Sequence, residues 1–220
     1  MKTINDEFED VFCPTCGPIA IRNKIFERQD GIVFYSCIQC NIEYASPRLV
    51  ESSLLNLYEG DSWRDKLFYE NWSFEEWDKE KGKDYFLVKE NIKLVKNFLN
   101  PGATVLDVGC DIGLTVKKLE ESGYYSEGVE VSSVGSRIAL EKTGIKVQNL
   151  KLEDYKSNIQ FDGLLLLDVL EHLNNPLQVL NQCADNLKQG GCIFIHTPHH
   201  RGLGTRYKKF LHKIGLKKDY

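Results

Sequence analysis

The stretch VLDVGCDIG, residues 105–113, is the part of this sequence that decides the fold. Its first four residues predict a short apolar strand, and the glycine-containing turn after them predicts the start of a helix over residues 114–122. Glycine lets the backbone pass close to a ligand. Glu130 ends the next apolar run, where a carboxylate can accept both hydroxyls of a ribose. On its own, the pattern is compatible with a nucleotide-like ligand and with an ordinary tight turn.

Two later segments make this interpretation more specific. They read FDGLLLLDVLEH (residues 161–172) and LKQGGCIFIHTP (residues 187–198). With VLDVGCDIG and with GVEVS at residues 128–132, they resemble four collinear motifs of the class I methyltransferases that use S-adenosylmethionine. The resemblance covers about residues 100–199. It implies an α/β fold with a Rossmann-like, doubly wound, mostly parallel sheet, and a methyl-transfer activity.

The resemblance also implies where S-adenosyl-L-methionine binds. The backbone amides of residues 109–113 would meet the carboxylate of the cofactor near a helix N-terminus. Asp107 and the backbone near Asp168 would serve its ammonium group, Glu130 the ribose, and Val131 the adenine face. A contact with the adenine edge would come from residues 152–154. The predicted cofactor-binding residues are therefore Asp107, Gly109, Cys110, Gly113, Glu130, Val131, Leu152 and Asp168.

The chain departs from the family pattern at two positions. Asp111 stands where the family usually has glycine, and Asp tolerates unusual backbone angles better than most residues. Its carboxylate lies near the expected place of the cofactor carboxylate, so repulsion and a non-catalytic site are an open alternative. Lys151 stands where the family often has an acid, which leaves the residue that contacts the adenine edge open.

Four cysteines near the N-terminus predict a metal site. Cys13 and Cys16 form one CxxC pair, Cys37 and Cys40 another, and 20 residues separate the pairs. Two such pairs complete a closed tetrahedral S4 site, for which zinc is favoured over iron or disulfides. Strands over residues 19–26 and 32–36, around a turn at residues 30–31, complete a zinc ribbon. Because a closed site has no open coordination position, the zinc is expected to be structural.

The expected domain order is a zinc ribbon at residues 1–48, a helical and aromatic connector at 49–100, the methyltransferase domain at 101–200 and a basic tail at 201–220. In the connector, residues 54–58 predict a short helix and residues 85–99 a longer one with a buried stripe. The aromatic residues of the connector either pack the ribbon onto the catalytic domain, which is favoured, or cover the active site. They are Trp63, Phe68, Tyr69, Trp72, Phe74 and Trp77.

On the acceptor side, His172 is the candidate general base, because its ordinary pKa is near about 6.5. It stands just after the fourth strand, where residues 168–172 are expected to start a helix. The alternatives are that His172 and Glu171 fix the turn, or that Asp168, Glu171 and His172 bind a divalent metal. His196, His199 and His200 are further candidates for acceptor contacts. Cys110, Cys183 and Cys192 are expected to be packing residues.

Composition limits the classes of function. The 220 residues have a net charge of −4 and a pI of about 5.8, which makes a nucleic-acid partner less favoured. No apolar run reaches the roughly 20 residues of a membrane span. Seven cysteines without an export signal predict a cytoplasmic location. Only 22 residues follow Pro198, so either the chain is a fragment or the sheet lacks the family's last strands and its open edge favours a homodimer.

Three functions remain from the sequence. The leading one is methyl transfer to a small molecule, a sugar, or a glycan or lipid precursor. The second is an RNA methyltransferase, because some enzymes of that kind join a zinc ribbon to this fold. The third is a non-catalytic zinc-ribbon binding protein with a relict cofactor fold. Cofactor binding separates the third from the others, and salt-dependent RNA binding separates the second.

Overall fold

The computed structural model describes residues 7–58, 73–80 and 83–198. The N-terminal part is built from five short strands: β1 (Phe8–Glu9), β2 (Arg22–Glu27), β3 (Val33–Cys37), β4 (Glu43–Ser46) and β5 (Arg48–Leu49). Strands β2, β3 and β4 form one antiparallel sheet, and β1 pairs with β5. The predicted hairpin is confirmed, with its first strand starting three residues later than expected at Arg22.

Three helices follow the N-terminal part in the described ranges. They are α1 (Glu51–Tyr58), α2 (Phe74–Glu80) and α3 (Lys83–Phe98). The predicted apolar stripe of α3 is confirmed, because Val88, Ile92 and Val95 are buried. Trp77 of α2 packs into the same hydrophobic cluster, at 8% exposure, which agrees with a packing role. Trp63, Phe68, Tyr69 and Trp72 lie outside the described residues.

The C-terminal part is a five-stranded parallel sheet. Its strands are β6 (Thr104–Val108), β7 (Tyr125–Glu130), β8 (Gln148–Asn149), β9 (Phe161–Leu167) and β10 (Leu187–His196), in the order β10-β9-β6-β7-β8. Helices α4 (Leu114–Glu121), α5 (Ser133–Ile138) and α6 (Pro176–Asp185) complete the fold. Two hydrophobic clusters cover the sheet. The predicted doubly wound α/β class is therefore confirmed.

The sheet is parallel throughout, but the order in which the chain adds strands switches from one side of β6 to the other. The chain runs from β6 outward to β7 and β8, then returns to β9 on the other side of β6. In open α/β sheets, ligands bind beyond the carboxyl ends of the strands at such a switch point. The central strands are also the most buried, with Leu164, Leu165 and Leu166 of β9 fully enclosed. The closely packed central strands therefore support the loops that follow β6, β7 and β9.

The prediction that a helix starts at residues 168–172 is wrong. Asp168 comes directly after β9 and its backbone is left-handed, with φ 56°. A 3-10 turn, Leu170–His172, follows it. The α-helix itself begins at Pro176, where proline is tolerated because a helix's first amides have no partner within it. Asn175 caps this helix by accepting a hydrogen bond from the amide of Gln178. None of the helices in the described ranges is long and apolar enough to cross a bilayer.

Candidate active site

A cavity of about 650 Å³ opens at the carboxyl ends of β6, β7 and β9. Its walls come from the turn after β6, the tip of β7, the loop after β8, the loop after β9 and helix α1. Six of the nine residues predicted from the sequence for the cofactor or for catalysis line it: Gly109, Glu130, Val131, Leu152, Asp168 and His172. The volume lies in the range of small-molecule sites.

The turn after β6 brings the backbone into close contact with the loop after β9. Gly109 has φ 71°, and a Cβ at this position would lie 2.5 Å from Cγ2 of Val169. The amides of Gly109 and Cys110 donate to the carbonyl of Val129 at 2.8 and 3.1 Å, which ties the turn to β7. Only glycine fits here, because both the positive φ and the close approach exclude a side chain.

Glu130 links the turn after β6 to the residues that follow β7. Its side chain is buried, at 7% exposure. Oε2 accepts the amide of Asp111 at 2.8 Å, and Oε1 accepts the amide of Ser132 at 2.7 Å. Glu130 also lines the cavity, so hydroxyl donors of a ligand there can reach its carboxylate. Glu130 thus fixes the turn and still presents a carboxylate to the cavity.

Most of the backbone amides in the turn are already used within the protein. Those of Gly109, Cys110, Asp111 and Gly113 donate to Val129, Glu130 or Cys110. Of the amides expected to bind the cofactor carboxylate, that of Ile112 therefore stays a candidate, together with those of the first turn of α4. The first amides of a helix lack partners within the helix and suit an anion.

Asp107 lies behind the turn and does not line the cavity. Its side chain is 2% exposed. Burial, with additional repulsion from the charges of Glu130 and Asp111, raises the pKa of Asp107 to about 8. A carboxyl group with this pKa is mostly protonated at pH 7 in the free protein. A cationic ligand nearby would favour its ionised form.

Cys110 and Gly113 also lie outside the cavity lining, and both have packing roles. Cys110 belongs to a buried cluster with Val116 and Ile145, as expected of a packing thiol, and burial raises its pKa well above the usual value. Gly113 precedes α4 at φ 74° and approaches Ile145 closely. Asp111 does line the cavity and adopts φ 49°, which agrees with the expected left-handed backbone.

The loop after β9 contributes to two histidine–carboxylate pairs, one of them with the last residue of β10. Nδ1 of His196 lies 2.9 Å from Oδ1 of Asp168, and the amide of Asp168 donates to the carbonyl of His196. His172 lines the cavity, and its Nε2 lies 3.9 Å from Oε1 of Glu171. Sequence reasoning missed the pairing of His196 with Asp168. The parallel register of β9 and β10, which pairs His196 with Leu167, is the signal that places it there. His199 and His200 lie outside the described residues.

Helix α1 was predicted as a helix but not as part of the site. Leu54, Leu55 and Tyr58 of this helix line the cavity. Glu51 at its start forms an ion pair with Lys151 in the loop after β8. Lys151, which stands where the family often has an acid, is therefore paired with an acid of helix α1.

The four predicted metal ligands lie together at the tip of the N-terminal sheet. The Sγ atoms of Cys13, Cys16, Cys37 and Cys40 all lie within 4.8 Å of one another, and none forms a disulfide. In a tetrahedral site with Zn–S distances of about 2.3 Å, the sulfurs lie about 3.8 Å apart, so this donor set fits zinc. Gly17 and Asn41 follow the pairs at φ 73° and 60°, as the predicted turns require.

The four cysteines are the one group with metal-binding geometry in the described part of the chain. Asp168, Glu171 and His172 do not form such a group there. The carboxylate of Asp168 is directed to His196 instead. The alternative of a divalent metal on these three residues thus has no support from the structure.

A parallel sheet with a switch point beside β6, a glycine turn and an acid at the next strand tip is the arrangement expected of a class I methyltransferase, although other nucleotide-binding α/β folds share it. A family model described as "Methyltransferase domain" matches residues 80–214, which is more than half of the chain. The chain belongs to this family. The resemblance drawn from the four motifs is thereby confirmed.

Two curated relatives illustrate the family around this chain. The ubiquinone biosynthesis O-methyltransferase of Dechloromonas aromatica (strain RCB) is 34% identical over 103 residues, covering 44% of this chain and 44% of the relative. The enzyme of the same name from Azoarcus sp. (strain BH72) is 30% identical over 120 residues, covering 51% and 49%. The chain spans about half the length of the curated relatives it matches.

Among solved structures, the chain is similar to a sugar N-methyltransferase from Streptoalloteichus sp. ATCC 53650. The sequence identity is 20% and the TM-score 0.49, over 60% of this chain and 56% of that one.

Proposed function

We propose that this chain transfers the methyl group of S-adenosylmethionine to a small-molecule acceptor, in the class of a sugar or of a glycan or lipid precursor. The observation that carries the proposal is the position of Glu130 at the tip of β7. There its carboxylate faces a cavity of about 650 Å³ at the switch point of the sheet. Membership of the methyltransferase family supports the same reading.

The residues present fit this cofactor. Gly109 brings backbone to the cavity wall, Glu130 can accept ribose hydroxyls, and Val131 and Leu152 offer apolar contacts to a base. S-adenosylmethionine supplies an electrophilic methyl group on a sulfonium sulfur, which is already a good leaving group. The protein mainly aligns the acceptor and excludes water.

An oxygen or nitrogen acceptor must lose a proton as the new bond to carbon forms. His172 is the residue proposed to receive it, because its ring lines the cavity next to the loop after β9. Its neutral nitrogen takes the proton and the imidazolium returns it to solvent. Glu171, with its carboxylate 3.9 Å away, stabilises the charged ring.

The curated relatives, each matched over about half of its length, support a small-molecule acceptor. Those relatives are named as O-methyltransferases of ubiquinone biosynthesis, which is chemistry on a small molecule. A cavity lined by apolar and acidic side chains also suits a small acceptor better than a nucleic acid. The RNA methyltransferase alternative is therefore placed second.

The N-terminal cysteines are proposed to bind one structural zinc ion. Four thiolates close the coordination sphere, and a ribbon of about 40 residues has too small a core to be stable without such a cross-link. The proposed boundaries are the ribbon at residues 1–48, the connector at 49–100, the methyltransferase domain at 101–200 and the tail at 201–220. The pairing of β1 with β5 supports the first boundary, because it closes the ribbon at Leu49.

Calorimetric titration of the zinc-loaded protein with S-adenosylmethionine and S-adenosylhomocysteine tests the proposal. We expect micromolar binding to the wild type and its loss in Glu130→Ala. Glu127→Ala is a matched control, because it removes an acid of the same strand that accepts the hydroxyl of Tyr155 and does not line the cavity. A folded wild-type protein that binds neither compound would refute the methyltransferase function and favour a relict domain.

A further inference from the structure

We propose that helix α1 forms the acceptor-facing wall of the cavity and that the acceptor carries no negative charge. This rests on the proposed methyltransferase function, and it goes further by assigning the surface that selects the acceptor. Helix α1 belongs to the segment that links the ribbon to the catalytic domain. The family match begins at residue 80, so this wall lies outside the matched domain.

Polar contacts on both sides of α1 fix its start against the catalytic domain. Nη1 of Arg48 donates to the carbonyl of Asn174 at 2.6 Å, and Nδ2 of Asn174 donates back to the carbonyl of Leu49 at 3.2 Å. Glu51 pairs with Lys151 on the other side. The helix thus begins between the loop after β8 and the loop that precedes α6.

Arg48 also connects this point to the N-terminal sheet. Its Nε donates to Oε1 of Glu9 at 2.9 Å, across the β1–β5 pair. One guanidinium therefore bridges the ribbon and the loop that contains Asn174. Because Arg presents several donors in a rigid plane, it can hold both partners at once. The position of α1 over the cavity is therefore determined by the fold of the N-terminal part.

The helix presents apolar side chains to the cavity. Leu54, Leu55 and Tyr58 line it, and all three are partly exposed, which leaves area for a ligand to cover. At about 1.5 Å per residue, eight residues extend about 12 Å, enough to pass across a small-molecule site. His172 and Leu173 lie on the part of the wall contributed by the loop after β9. An acceptor with an apolar face fits between them.

The charge of the lining selects against anions. Lys151 is the one lysine or arginine among the described residues that line the cavity, and it is already paired with Glu51. With His172 neutral, six carboxylates and one ammonium leave a formal excess of five negative charges over the whole cavity, including the acids of its cofactor side, which act on the acceptor through their field. The six acids are Glu51, Asp111, Glu130, Glu153, Asp154 and Asp168. A phosphate or carboxylate on the acceptor would meet this field partly desolvated, whereas a neutral or cationic group would not be repelled.

Three ring compounds of similar shape test the charge preference on the full chain. Benzyl alcohol is neutral, benzylamine is cationic and benzoate is anionic at pH 7. We expect NMR titration of the protein saturated with S-adenosylhomocysteine to give binding of the first two and at least ten-fold weaker binding of benzoate. Equal or tighter binding of benzoate would overturn the charge assignment.

A pair of variants on the same helix tests the wall. Leu55→Ala removes a lining side chain, and we expect it to weaken probe binding at least three-fold while leaving the affinity for S-adenosylhomocysteine unchanged. Asn56→Ala is the matched control, because Asn56 is exposed and does not line the cavity. Loss of S-adenosylhomocysteine affinity in Leu55→Ala, with probe binding intact, would place α1 over the cofactor and overturn the inference.

The two proposals can fail separately. Failure of the wild type to bind S-adenosylhomocysteine refutes the proposed function. Probe binding by that unliganded protein, with the same charge order and the same dependence on Leu55, would still support the wall. Absence of binding by every probe, with and without S-adenosylhomocysteine, would overturn the inference.

Discussion

The carboxylate of Glu130 accepts the backbone amide of Asp111 at 2.8 Å, joining the tip of β7 to the turn after β6. The second oxygen of the same carboxylate accepts the amide of Ser132 at 2.7 Å. The acid proposed to bind the ribose is thus also the residue that fixes both loops around it. Its loss should affect structure and ligand binding together, and the two effects can be separated.

We expect Glu130→Gln to lower the free energy of unfolding by about 1–3 kcal/mol and the affinity for S-adenosylhomocysteine at least ten-fold. The amide group keeps one acceptor but turns an NH₂ toward a backbone N–H, which leaves a buried donor unpaired. Chemical denaturation and calorimetry measure the two effects. Glu127→Gln, on the same strand but outside the cavity lining, should leave the affinity unchanged. Unchanged affinity in Glu130→Gln would remove Glu130 from the ligand site.

Asp107 predicts a pH dependence of stability. Its pKa rises from 3.8 to about 8 in the folded protein because of burial and the nearby charges of Glu130 and Asp111. Between about pH 4 and pH 8 the unfolded chain has lost this proton while the folded chain retains it. The free energy of unfolding should therefore fall as pH rises through this window, by up to about 1.4 kcal/mol per pH unit, and level off above it.

Asp107→Asn isolates this contribution. The amide has nearly the shape of the protonated acid but does not titrate, so the variant should gain stability relative to the wild type between pH 5 and pH 8. Urea denaturation at several pH values gives the difference between the two proteins. Parallel curves would mean that Asp107 is ionised in the folded protein across this range.

The sheet and its ligand-binding edge were predictable because each rests on a local signal. The apolar run of β9 gives a buried parallel strand, and the glycine turn after β6 marks the switch point. Asn41 was expected to tolerate a left-handed backbone and adopts φ 60°. The paired CxxC motifs likewise brought all four thiols together.

The rest of the site depends on contacts between distant parts of the chain. Glu51 and Lys151 are 100 residues apart, and nothing in the local pattern of α1 distinguishes a cavity wall from any short packed helix. The expected helix start at residues 168–172 failed for a local reason, because Asp168 adopts a left-handed backbone that the apolar pattern does not reveal. The boundaries of the ribbon and connector stay predictions.

Gly109→Ala tests the close approach of the turn to the loop after β9. The new Cβ would lie 2.5 Å from Cγ2 of Val169, and φ 71° is itself strained for alanine. We expect a loss of about 2–4 kcal/mol in the free energy of unfolding. Gly144→Ala is the control, since Gly144 has φ 76° with nothing within 4 Å of its Cβ position, so it should lose only the strain of about 1–2 kcal/mol. If Val169→Ala fails to restore Gly109→Ala partly, the clash is not the cause.

The proposed zinc site predicts one zinc ion per chain, and Cys37→Ser should abolish it. Cys37 is fully buried, so a serine there also places a hydroxyl in the core, and stability alone would not distinguish the two causes. Cys183→Ser is the matched control, because Cys183 is equally buried but lies on α6, away from the metal cluster. Both variants should melt at a lower temperature than the wild type.

Only Cys37→Ser should lose zinc by elemental analysis and become insensitive to a chelator in thermal melts. Cobalt substitution gives a second readout, because four thiolates impose tetrahedral absorption bands that Cys183→Ser retains. Wild-type protein that binds no zinc, yet melts at the same temperature with and without chelator, would contradict the metal site. The thiols would then be packing residues of a ribbon that is stable through β1–β5 pairing and the contacts of Arg48.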